Sequence, residues 1–152
     1  MTLHTAIVKI AEEKISSEKA KKFILSEKNG AESIFVGRVR NANSGKKVTA
    51  VTYDAHDQAV IKSFQSICSD AKSKFDKDAN IFLEHAKGHV PVGEISILIA
   101  VGSRHREEAF KICRYILEEI KHQTPIWKKE HYVEGKEEWL PGHSLRPKEE
   151  IK

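Results

Sequence analysis

Apolar residues recur three and four positions apart at Val60, Ile61, Phe64, Ile67, Cys68, Ala71 and Phe75, the period of one helical face, with Asp57 placed to cap its start. A second stripe, Ala109, Phe110, Cys113, Ile116, Leu117 and Ile120, is predicted to face inward. Ser103 precedes it as a cap, and Thr124-Pro125 ends it because the residue before proline disfavours helix. A shorter helix is expected between a cap at Ser16 or Ser17 and a stop at Asn29-Gly30. Strands are predicted over 3–10, 33–40, 48–53 and 81–86, around 126–132 and near Trp139. The near-continuous apolar run over 94–101 predicts a central strand buried on both faces. The turn-rich segment Asn41-Ala42-Asn43-Ser44-Gly45 would join 33–40 to 48–53 as a hairpin-like unit, and 88–93 would turn around Pro91. Helices interleaved with hairpin-like strand pairs argue for an α+β fold with about three helices and a mixed, mainly antiparallel sheet.

A chain of 152 residues with 39% hydrophobic content can bury one core without staples, so a single domain over 1–152 is expected, its tail flexible from about 141. Lys and Arg number 26 against 22 Asp and Glu; the net charge of +4 favours anionic partners but falls short of a nucleic-acid-coating charge. Cys68 and Cys113 each lie within a helical stripe and belong to no CxxC pair, so both read as reduced core residues. No run approaches the roughly 18 to 20 apolar residues of a membrane span, and Met1-Thr2-Leu3-His4 has no signal-peptide character, which makes the cytosol the expected compartment.

Three basic patches carry the candidate chemistry. Arg38, Arg40, Lys46 and Lys47 stand with no acid between Val36 and Lys47; on a strand Arg38 and Arg40 would share a face, and guanidinium forks suit phosphate or carboxylate. The bland reading is a solvated hairpin tip whose charges protect an edge strand. Arg104, His105 and Arg106 follow the Ser103 cap, where the helix dipole disfavours cations by about 0.3 to 1 kcal/mol each. A bound anion would account for them, and so would Glu107 and Glu108 offsetting cations that point into water. Lys121 occupies a last helical turn, where a cation is favourable. Lys128 projects opposite to Trp127 and Lys129, and the intervening proline turn can bring it back toward Lys121. Paired ammonium groups lower one another's pKa, which suits a nucleophile, base or acid near neutrality. His85 and His89 have an HxxxH spacing, but Gly88 and Pro91 oppose a regular helix, and neither a metal site nor a bound cofactor is expected. GxSxG, P-loop and GxGxxG sequences are all absent, and neither cysteine has the setting of a reactive thiol.

Phe35-Val36-Gly37-Arg38-Val39-Arg40-Asn41, Ser103-Arg104-His105-Arg106-Glu107-Glu108-Ala109-Phe110 and Lys121 through Pro125-Ile126-Trp127-Lys128-Lys129-Glu130 resemble, in order, the three signature blocks of the molybdopterin synthase large-subunit family. The resemblance extends from about Ile7 to Trp139, and Pro-Ile-Trp-Lys-Lys-Glu is its most specific part. It implies an α/β-hammerhead fold and a central homodimer with a ubiquitin-like small subunit at each end, a heterotetramer. It also implies sulphur delivery from a C-terminal glycine thiocarboxylate to cyclic pyranopterin monophosphate, forming the molybdopterin dithiolene. By the same resemblance Lys121 and Lys128 are the catalytic lysines. Arg40, His105 and Arg106 bind the substrate, the last two across the dimer interface.

Tyr53-Asp54-Ala55-His56 departs from the family's Tyr-Glu-X-Tyr, and the tail Gly142-His143-Ser144-Leu145-Arg146-Pro147 matches no placed motif, so Arg146 is expected in a solvated tail. Two rivals remain at this level. A nucleic-acid module would need aromatic residues among the hairpin charges or a recognition helix, which the hairpin lacks. A non-catalytic homologue that only binds the small subunit is opposed by the retained Lys121 and Lys128.

Overall fold

The computed structural model describes residues 1–140; positions 141–152, with Arg146 and the expected flexible tail, lie outside the described residues. The elements in order are β1 (Leu3–Lys9), α1 (Ser17–Ile24), β2 (Ala31–Arg38), β3 (Ala42–Asn43), β4 (Lys46–Ala55), α2 (Asp57–Lys74), β5 (Asn80–Pro91), β6 (Ile95–Ser103), α3 (Arg106–Gln123), β7 (Ile126–Tyr132) and β8 (Glu137–Trp139). The strands run β2-β6-β5-β4-β7-β8 across the sheet, with β1 added to β5 and β3 to β4. Among the described residues only β1 and β5 pair in parallel. The α+β reading therefore holds, as do the three helices.

β5 ties the sheet together. Its first half pairs with β1 and β6, and beyond Gly88 it pairs with β4, Tyr53 lying opposite Gly88. Gly88 takes φ +109°, open to glycine and strained for other residues, so the strand bends there and continues to Pro91. That is why the turn expected over 88–93 shrinks to the corner at Val92-Gly93.

β6 is the central strand predicted from its apolar run, buried almost throughout. α3 packs on β6 and β2, α2 on β1 and α3, and α1 on β5 and β6. Phe64, Phe82, Ile99, Ile112 and Ile116 belong to the continuous core.

Several local expectations change. β2 pairs with β6, and not with β4, because its apolar residues find the buried strand. The hairpin lies instead between β3 and β4, where Ser44 (φ 51°) and Gly45 (φ 79°) form a two-residue turn whose twist suits the strands. α1 ends at Ile24, since Ser26 captures the amides of Lys28 and Asn29 in its own turn. His56, not Asp57, caps α2 through Nδ1, which accepts from the Ala59 N–H. On α3, Ile112 takes the inward position and Phe110 is 65% exposed.

Candidate active site

Lys121 stands in the last turn of α3, half-buried. The corner that follows is fastened: buried Thr124 shares a hydrogen bond with Ser63 of α2 (2.8 Å), and its carbonyl accepts from the Ile126 N–H (2.9 Å). Lys128 is half-buried on β7, directly paired with Tyr53 of β4. Strand alternation separates it from its neighbours as expected: Trp127 is exposed, and Lys129 lies over the Trp139 ring at 5.1 Å.

On the neighbouring strand β5 lies a buried polar residue that sequence reading weighed only as half of an HxxxH spacing. His85, 1% exposed, has its Nδ1 2.8 Å from the Ala86 carbonyl and meets the Tyr53 ring edge-on at 5.0 Å. Burial pushes the His85 pKa down to about 4; the bond to Ala86 opposes this and the charge of Lys128 adds to it. Burial raises the Tyr53 pKa, opposed by its hydrogen bond to Ser96 and reinforced by Glu130, so the phenol stays protonated. Ser96 in turn donates to the Gly37 carbonyl at 3.3 Å. Only membership in buried strands hinted at these residues. His85 and His89 do not converge, because His89 packs against the His131 ring.

Gly37 and Arg38 flank an irregularity in the β2–β6 ladder. A Cβ on Gly37 would lie 2.6 Å from Ile97 Cγ2, so the close approach of β2 to β6 requires glycine. β2 stops at Arg38, whose guanidinium donates to the Gly93 carbonyl at 2.7 Å. Arg40 lies two residues past the strand end; it and Arg38 are exposed on either side of buried Val39, whose N–H donates to the Glu94 carbonyl at 3.1 Å. Further along the chain, Asn43 donates to the buried Glu130 carboxylate at 2.5 Å, joining the hairpin to β7.

The basic patch at the head of α3 differs from expectation. Ser103 ends β6 and donates to Asp76 at 2.5 Å, leaving His105 as N-cap with no side-chain capping bond. Arg104 precedes the helix and pairs with Asp78 at 3.3 Å, so Arg106 alone of the three is helical. From Arg106 to Lys121 the helix rises about 22 Å at 1.5 Å per residue. α3 returns along β6 after a short connection, and β2 runs antiparallel to β6. The end of β2 that leads to Arg40 lies opposite Ile95 at the start of β6, His105 and Arg106 follow its last residue, Ser103, and Lys121 stands at the opposite end of α3 from them.

Both cysteines are buried; burial raises each thiol, Cys68 to about 12 against the lesser pull of Lys72, and a thiolate nucleophile has no place in this arrangement.

Fold and site together define a small α+β domain with a lysine-bearing corner between its last helix and β7. The chain belongs to the MoaE protein family, whose model matches residues 10–123. It is 40% identical over 126 residues to the molybdopterin synthase catalytic subunit of Synechococcus elongatus, covering 83% of this chain and 76% of that one. Against the subunit of the same name from Bos taurus the identity is 38% over 133 residues, covering 88% and 70%. The crystal structure of molybdopterin synthase from Staphylococcus aureus superposes with a TM-score of 0.82 at 29% identity, over 93% of this chain and 98% of that one. A complex of subunits 1 and 2 of the molybdopterin-converting factor from Helicobacter pylori has the same fold, with a TM-score of 0.69 at 22% identity, covering 95% and 94%. The family resemblance read from the three sequence blocks is thereby borne out.

Proposed function

We propose that the chain is the catalytic subunit of a molybdopterin synthase, transferring sulphur from the C-terminal thiocarboxylate of a ubiquitin-like small subunit to cyclic pyranopterin monophosphate. The observation that carries this reading is family membership in a chain whose Lys121 and Lys128 flank the Thr124-Pro125 corner, and whose β2 ends at Arg38, opposite Ile95, on the side that leads to Arg40. The Arg40 guanidinium supplies a fork for phosphate, and the lysines stabilise negative charge or move a proton as sulphur attacks and the glycine carboxylate leaves. Holding the tail beside the pterin replaces a bimolecular encounter with a local one. Sulphur arriving on a partner accords with two buried, unreactive thiols. The two-subunit complex from Helicobacter pylori supports a small subunit as that partner.

His105 and Arg106 join this site when two copies of the chain pair. An open groove at the α3–β2 face is lined by Ser33, Ile34, Phe35, Phe110, Cys113 and Leu117, with Phe110 bare. β2 is an edge of the sheet, and Ile34-Phe35-Val36 carries no charge or proline to block pairing. A twofold axis near Cys113 and Arg114 would run two α3 helices antiparallel, with Arg106 of one copy across from Lys121 of the other, since the two are equidistant from that midpoint.

The test mixes purified protein with thiocarboxylated small subunit and cyclic pyranopterin monophosphate, then quantifies dithiolene pterin by its fluorescent oxidation product. Product is expected from the wild type, and Lys121→Ala abolishes turnover while folding and dimerisation persist. A folded, dimeric wild type that makes no product with a competent small subunit rejects the catalytic reading in favour of a binding-only homologue.

A further inference from the structure

We propose that Tyr53 and His85 are positioning residues that hold the Lys128 side chain from behind, presenting its ammonium in one orientation. The inference rests on the role proposed for Lys128 and concerns how that role is prepared.

Lys128 and Tyr53 are cross-strand partners, so their side chains leave the same face of the sheet as neighbours. Tyr53 is buried, and its ring meets that of His85 at 80° with the centroids 5.0 Å apart. The His85 Nδ1 faces the Ala86 carbonyl, a pure acceptor, so in the neutral ring it carries the proton and Nε2 keeps its lone pair. Neutrality is enforced by burial and by the lysine itself, so His85 offers an acceptor and never a competing charge near pH 7.

The other end of Tyr53 is tied to the site's second basic group. Ser96 lies beside the Tyr53 phenol, and its own hydroxyl donates to the Gly37 carbonyl at 3.3 Å. Gly37 lies three residues before Arg40. One run of contacts thus connects the strand carrying Lys128 to the end of β2 that leads to Arg40. Hydrophobic filling alone would call for Phe or Leu at both positions, because burying polar groups is unfavourable unless they are used. A lysine stem has many rotamers, and ordering it in advance removes that search from the reactive encounter.

Three variants separate positioning from packing: His85→Phe keeps the ring but removes the acceptor, His85→Gln restores an acceptor, and Tyr53→Phe removes only the tie to Ser96. The probes are the 13C-methyl resonance of reductively methylated Lys128, assigned by its loss in Lys128→Arg, and kcat and KM for dithiolene formation with untreated enzyme. In His85→Phe the resonance should move toward those of solvent-exposed lysines, and kcat should fall about tenfold with KM within about twofold. His85→Gln should recover most of that loss, and Tyr53→Phe should lower kcat about threefold. An unmoved resonance with unchanged kcat in folded variants overturns the proposal, as does equal loss in the Phe and Gln variants of His85 with the resonance unmoved. If His85→Phe does not fold, the Gln and Tyr53→Phe variants decide by the same measures. A wild type that forms no dithiolene would sink the proposed activity, while the Lys128 resonance would still decide the positioning.

Discussion

The proposed sharing of the site between two copies of the chain has a quantitative consequence. α3 is a continuous helix, and the about 22 Å it sets between Arg106 and Lys121 exceeds what any pair of side chains can close toward one small substrate. If both residues serve one reaction, each site takes its lysine from one copy and its arginine from the other. Lys121→Ala and Arg106→Ala homodimers should then each be inactive, both of their sites being damaged. A mixed dimer should contain one intact site and one site lacking both groups. Purified by two different affinity tags, such dimers should show about half the wild-type specific activity. Random re-pairing of equal amounts, in which half the dimers are mixed, should restore about a quarter. The assay is dithiolene formation with saturating thiocarboxylated small subunit, alongside size-exclusion chromatography to verify dimers. Sites contained within one copy would leave every site of the mixed dimer with one lesion. Activity no greater than the sum of the two parents would refute the shared site.

Stability should fall on mild acidification because of His85: its pKa is 6.5 when unperturbed and about 4 in the fold, so the unfolded chain binds more protons between those values. The loss on going from pH 7 to pH 4 is about 3 kcal/mol from this group, read from urea midpoints, and His85→Gln should flatten that part of the curve. Gly37→Ala should cost about 1–3 kcal/mol, because the added methyl must displace Ile97 beside the β2–β6 irregularity; an unchanged thermal midpoint would show that the strands separate freely there. Phe64→Ala should cost about 3–5 kcal/mol, since the ring is fully buried where α2 meets the core, and chemical denaturation would measure it.

Sequence periodicity alone determined that α2 and α3 are helices, that 94–101 lies in a buried strand and that the class is α+β, because these features depend on which faces are apolar. The proline corner was equally legible, since Pro125 restricts Thr124 locally. Family-specific blocks named Arg40, His105, Arg106, Lys121 and Lys128, and local chemistry alone could neither rank them nor say which stand together. Tertiary structure decided the rest through non-local pairing. β2 left the expected hairpin because β6 offered its apolar residues a buried neighbour. Ser103 gave up the cap of α3 because Asp76, distant in sequence, accepts its hydroxyl proton. His85 acquired its buried aromatic neighbour only when Tyr53, from another strand, was brought against its ring. The separation of Arg106 from Lys121 also belongs to the fold, because a helix converts sequence distance into a rigid length.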